Sequence, residues 1–140
     1  MDLHLTGKTV LITGASKGIG LACAHEFAAE GCNLHLASRT EADLAAARDA
    51  ITAKHYVHVT IHALDLSDST NFDTQSERCA DIDVLMNYAG AFPAGDIQAV
   101  DETTWREAWD LKVFGYINMT RRFYPLMQNN GGGVILNIIG

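Results

Sequence analysis

The sequence predicts an α/β fold, a doubly wound parallel sheet of Rossmann type, and three observations carry that expectation. Apolar runs of strand length alternate with helix-length segments along the whole chain, the pattern of a parallel sheet covered by helices on both faces. Each run is almost wholly apolar, as burial on two sides requires. A glycine-rich turn, Thr13-Gly14-Ala15-Ser16-Lys17-Gly18-Ile19-Gly20, separates the first strand from the first helix, the place where such sheets receive a dinucleotide.

Taken in order, Lys8–Ile12 is a short β-branched strand that halts at Thr13-Gly14. Ile19–Glu30 is Ala-rich with helical apolar spacing, and Gly31 closes it as a C′ residue. Leu34–Ala37 is the second strand, followed by a helix over Glu41–Lys54 with Thr40 as N-cap. Val57–Leu64 reads as a third strand and Ser67–Ala80 as a short surface helix. Val84–Met86 is the fourth strand, Thr103–Gln128 one long helix, and Val134–Ile139 a fifth strand after the break at Gly131–Gly133. Right-handed crossovers then favour the strand order 3-2-1-4-5.

At 140 residues the chain suits a single domain, 1–140, with no internal repeat or linker. A formal net charge of −7 offers no basic stripe, so neither nucleic acid nor an anionic membrane is an expected partner. Cys23, Cys32 and Cys79 are odd in number without Cys-x-x-Cys spacing, which argues against a disulfide framework. Met1-Asp2-Leu3-His4 has no basic n-region or apolar h-region, and no apolar run is long enough to span a bilayer. The expected compartment is the cytoplasm.

The glycine turn is the strongest chemical signal. Gly14 permits the sharp exit from the strand, Gly18 removes a side chain where backbone approaches a pyrophosphate, and Gly20 lets the helix press on the sheet. The free N–H groups of the helix start then face the phosphates, flanked by Ser16, Lys17 and Ile19. A P-loop is excluded because no Gly-Lys-Ser/Thr closes the turn.

The spacing Gly-x-x-x-Gly-x-Gly after Thr13 resembles the short-chain dehydrogenase/reductase family, and later segments agree. Asp65-Leu66 follows the third strand where that family contacts adenine. Asn87-Tyr88-Ala89-Gly90 is similar to its Asn-Asn-Ala-Gly motif, with Tyr88 as a departure; Trp105 opens the long helix, and Gly133–Ile139 resembles the strand that leads to the family's serine. The resemblance implies an enzyme that transfers hydride between a nicotinamide cofactor and a carbonyl or alcohol substrate. It also implies cofactor contacts at Gly14, Ser16, Lys17, Gly18, Ile19, Gly20, Ser38, Arg39, Asp65, Leu66, Asn87, Ala89 and Gly90. NAD-binding chains commonly place a carboxylate after the second strand to hold the ribose hydroxyls. Here Ser38 and Arg39 stand there; a guanidinium pairs with a 2′-phosphate, and Lys17 supplies a second cation, so NADP(H) is the expected cofactor.

The catalytic set matches less well. The family's Tyr-x-x-x-Lys lies beyond the fifth strand, so residues 1–140 are expected to be inactive alone. The family's Asn in the long helix falls on Lys112 and its Ser on Gly140, both departures. A catalytically altered or non-catalytic NADP-binding protein, a sensor or scaffold, is therefore the rival reading. His55, His58 and His62 lie close in sequence, yet on an extended segment they do not share a face, and no metal site is expected from them. The long helix carries apolar residues on more than one stripe, including Trp109 and Phe114, so either a second subunit or a further segment should cover the 103–128 helix, or it is fully buried within the chain; the resemblance implies a homo-oligomer through it.

Overall fold

The computed structural model describes residues 1–139. Five parallel strands form one sheet in the order β3-β2-β1-β4-β5. The elements run β1 Thr9–Thr13, α1 Gly18–Ala29, β2 Asn33–Ser38, α2 Glu41–Thr52, β3 Val59–Ala63, α3 Asn71–Arg78, β4 Val84–Asn87, α4 Glu102–Trp109, a π-helical turn Asp110–Phe114, α5 Gly115–Asn129 and β5 Val134–Asn137. The expected order and alternation are thus present. Among the described residues no helix is long and apolar enough to cross a membrane.

Strand alternation divides the core in two. Val10, Ile12, Leu34, Leu36, Val84 and Met86 face α1 and α2, whose Ala24, Ala28, Leu44, Ala47 and Ile51 close that layer. Leu11, Ala37 and Leu85 face the other way, against Phe72 of α3 and Met119, Phe123 and Met127 of α5. Small alanines on α1 let that helix lie close to the sheet, while the larger Phe123 and Met119 fill the wider opposite layer.

The second helix ends at Thr52 before the expected Lys54 and the fifth strand at Asn137 before the expected Ile139, and three further boundaries shift for identifiable reasons. The third strand is shorter than Val57–Leu64, because Val57 bonds back to the His55 carbonyl before the ladder begins. The Ser67–Ala80 helix begins only at Asn71, because Asp65 and Asp68 first hold the chain in side-chain turns through Ser67 and Thr70. The Thr103–Gln128 helix is not uniform: Asp101 caps it by accepting from the Thr104 N–H at 2.8 Å, and the turn around Lys112 is wider than an α turn. One extra residue in that turn shifts the apolar stripe, which is how α5 buries Met119, Phe123 and Met127 although α4 buries only Ala108. Thr40 does sit at the α2 N-cap, without a side-chain cap bond.

Leu85 is fully buried in the interior strand β4. Leu85→Ala should lower unfolding free energy by about 2–5 kcal/mol in denaturant titration of the full chain. A loss below about 1 kcal/mol would show that this layer is not close-packed.

Candidate active site

The crevice at the carboxyl ends of β1 and β4 is set by contacts that start at Thr13. Its buried hydroxyl accepts from both the Tyr88 N–H and the Ala89 N–H, each at 3.0 Å. This ties the exit of β4 to the end of β1. The Gly14 N–H donates to the Ala37 carbonyl at 2.8 Å, turning the chain across the top of β2.

The glycines answer to these approaches. Gly14 has φ +69°, and a Cβ there would lie 3.0 Å from the Ala89 backbone. A Cβ on Gly20 would strike the Gly14 carbonyl. Gly18 differs: its φ is +58°, and the space beside it is open up to the Tyr88 hydroxyl, 3.7 Å from a notional Cβ. That leaves bare backbone facing the cavity at the start of α1, the arrangement an anionic pyrophosphate requires.

A cavity of about 230 Å³ lies over this turn, lined by Gly14, Ser16, Lys17, Gly18, Ser38, Arg39, Leu66, Tyr88, Ala89 and Gly90 among others. A second, bordered by the same Arg39, continues past Asp65, Ser67 and Phe92 towards α4. The structure therefore gathers most of the sequence-predicted residues around one opening. Ser16 and Ser38 hydroxyls lie 3.0 Å apart across it. Lys17 reaches Asp43 at 3.7 Å on the surface, and among the described residues no carboxylate pairs with Arg39.

Three predicted residues stand apart from the opening. Gly20 is buried in the helix–strand contact, and Ile19 is exposed at the start of α1. Asn87 is fully buried and donates its amide to Asn137 Oδ1 at 2.8 Å, joining β4 to β5 beneath the cavity floor, while its own Oδ1 has no partner. Gly140 lies outside the described residues.

Lys112 does not extend into solvent. Its stem crosses Gly90, where a Cβ would meet Lys112 Cδ at 2.9 Å, and its ammonium donates to the Ile138 carbonyl at 2.6 Å. The rings of Tyr116, Phe92 and Tyr88 surround that ammonium at 4.8, 5.3 and 6.0 Å from their centroids. Burial lowers the Lys112 pKa from the ordinary lysine range, and the aromatic faces supply partial compensation for the charge. The Tyr116 hydroxyl donates to the same Ile138 carbonyl at 2.9 Å. Sequence reasoning missed this Lys112–Tyr116–Ile138 knot; the i, i+4 spacing of Lys112 and Tyr116 was the available signal.

Comparison with known proteins agrees with this geometry. The profile of the short chain dehydrogenase family matches residues 8–140. A galactitol 2-dehydrogenase (L-tagatose-forming) of Cereibacter sphaeroides is 31% identical over 135 residues, 96% of this chain and 53% of that protein. The structure of L-sorbose reductase from Gluconobacter frateurii, complexed with NADPH and L-sorbose, superposes with a TM-score of 0.90 at 32% identity, covering 98% of this chain and 54% of that one. A 7 alpha-hydroxysteroid dehydrogenase complexed with NADH gives 0.91 at 26% identity, covering 99% and 55%. The chain thus spans about half the length of the proteins it matches.

Burial, with Tyr88 as a smaller contribution, pushes the Tyr116 phenol up to about 12. The neutral, donating phenol is the form the fold holds, so its stabilisation is complete below the ordinary tyrosine value of about 10 and is lost as pH rises through about 12. Ultraviolet titration of the full chain against Tyr116→Phe should assign to Tyr116 a phenol ionising near 12. Ionisation near the ordinary value would contradict the Ile138 contact.

Proposed function

The chain belongs to the short-chain dehydrogenase family, and on that premise we propose that it forms the cofactor-binding part of an NADP(H)-dependent oxidoreductase acting on a carbonyl or alcohol substrate. The carrying observation is the wall of Ser16, Lys17, Ser38 and Arg39 around the crevice, with two hydroxyls and two cations and no carboxylate at the end of β2. Relatives of this fold are complexed with NADPH in one case and NADH in another, so the backbone alone does not choose; the side chains after β2 do.

The residues present fit such a cofactor. Gly18 leaves a cradle that a side chain would fill, and among the described residues no side chain caps the start of α1 there. Arg39 is exposed at the cavity edge and free to lie against a 2′-phosphate in a bidentate pair. The Lys17–Asp43 bridge is exposed and weak, so Lys17 can turn to the same phosphate at little cost. Leu66 and Asp65 border the side on which adenine would rest, and Ala89 and Gly90 keep the floor flat. When bound, the nicotinamide supplies the hydride; the protein's part is to orient it and exclude water.

Lys112 carries the departure from the family's usual proton relay. An ammonium has no acceptor and cannot hold a water as an amide does. Here it anchors the Ile138 carbonyl beneath Gly90 and places a positive charge beside the crevice. The complete protein would therefore work by an altered relay, and residues 1–140 alone would not turn over. That same substitution favours the second reading, an NADP-binding sensor or scaffold without catalysis. Exposed Trp109 on α4, Phe114 in the π-helical turn and Tyr124 on α5 support a homo-oligomeric contact through these helices. Cytoplasmic residence fits this reading.

Two outcomes follow. NADP(H) should bind the full chain about tenfold or more tighter than NAD(H), a charge-assisted pair being worth roughly 1.5–3 kcal/mol, and Arg39→Asp should abolish the preference in fluorescence titration. Equal affinities in the wild type would refute the cofactor assignment. NADPH turnover over a panel of ketones should fall about tenfold or more in Lys112→Ala, with cofactor affinity little changed. Unaltered turnover in the complete protein would remove Lys112 from the reaction, and no turnover by the complete wild-type protein on any ketone would favour the non-catalytic reading.

A further inference from the structure

On the far side of β2 from its core leucines, His35 and His62 of β3 meet at Nδ1···Nε2 2.8 Å, and Cys79 at the end of α3 lies 3.6 Å from the same His62 nitrogen. The three ligand-type atoms all fall within 4.8 Å of one another. His62 and Cys79 are buried, and His35 is half-buried, leaving a path from solvent. The adjacent Gln75 is completely buried; its amide donates to Cys79 Sγ at 3.1 Å while its carbonyl Oε1 has no partner. A buried amide oxygen without a hydrogen bond is costly, so something should satisfy it. The cofactor crevice uses none of these four residues.

We propose that His35, His62, Cys79 and Gln75 form a site for one thiophilic divalent ion of d10 type, Zn(II), beneath α3. Two imidazoles and one thiolate are the borderline-to-soft donors that Zn(II) takes in four-coordinate form, and the Gln75 amide carbonyl adds a harder oxygen donor at the fourth position. Metal–nitrogen bonds of about 2.0–2.1 Å and a metal–sulfur bond of about 2.3 Å require donor separations of about 3.3–3.7 Å. The His62–Cys79 separation of 3.6 Å already matches, and the two rings must part by roughly half an ångström from 2.8 Å. The ion takes the position of the single proton shared between the rings. The ring protons then sit on the outer nitrogens, both imidazoles stay neutral, and the Cys79 thiol proton leaves to solvent. A half-turn of the Gln75 amide would bring Oε1 to where Nε2 lies, beside Cys79 Sγ, and would carry the amide N–H groups to the position that now has no partner.

The site has a consequence for the fold around it. His62 is the penultimate residue of β3 and Cys79 the C-cap of α3, so an ion held by both closes the segment between them. That segment contains Asp65 and Leu66, which border the crevice.

Co(II) titration of the metal-free full chain under reducing conditions tests the site. One equivalent should produce a sulfur-to-cobalt charge-transfer band with tetrahedral d–d absorption, displaced by one equivalent of Zn(II). Cys79→Ser should abolish the charge-transfer band while Cys23→Ser and Cys32→Ser retain it, and Gln75→Met should weaken Co(II) binding about tenfold or more. His35→Asn, on the half-buried side, gives a second arm if Cys79→Ser fails to fold: it should remove the rise in thermal midpoint of about 5 °C or more that Zn(II) gives the wild type. No charge-transfer band in the wild type, or a band that survives Cys79→Ser or His35→Asn, would overturn the proposal.

Discussion

The buried Thr13 hydroxyl, accepting from two consecutive backbone N–H groups at the exit of β4, is the contact on which the candidate site depends. It fixes how far apart the ends of β1 and β4 stand, and so fixes the width of the crevice between them. The glycine turn can then lie flat only if no side chain intrudes between Gly14, Gly20 and Ala89. A backbone this closely packed has few alternative arrangements, which is the preorganisation a phosphate site needs. Everything placed around it, from Ser16 and Ser38 to the Arg39 guanidinium, inherits its position from that tie.

The same rigidity explains how the chain accommodates Lys112. The π-helical turn Asp110–Phe114 widens the helix where it passes the crevice, and such turns commonly mark functional positions. The extra residue aims the Lys112 stem across Gly90, where only a glycine leaves room. Three aromatic rings and one carbonyl then hold the ammonium. The charge is thus part of the crevice wall, and its electrostatic effect reaches whatever binds there.

Much of this was legible in the sequence. Strands buried on both faces must be apolar throughout, so β1, β2 and β4 declare themselves, and the turn at Thr13–Gly20 places the opening. The π turn was not legible, because one extra residue leaves the local apolar composition of Thr103–Gln128 unchanged. The bridge from Asn87 to Asn137 was not legible either, because strand pairing alone brings near a partner fifty residues away. The meeting of His35, His62 and Cys79 was hidden for the same reason. Reading the histidines along one strand considered only His55, His58 and His62, whereas the lateral register, with Ala37 opposite His62, sets His35 beside His62 from a different strand.

The central claim is that the cationic wall after β2 selects a 2′-phosphate. Isothermal titration of the full chain with adenosine 2′,5′-bisphosphate and with adenosine 5′-monophosphate isolates that group from the nicotinamide half. The account predicts binding about tenfold or more tighter for the bisphosphate at moderate ionic strength, with the advantage shrinking as salt rises. Equal affinities at low salt would contradict it.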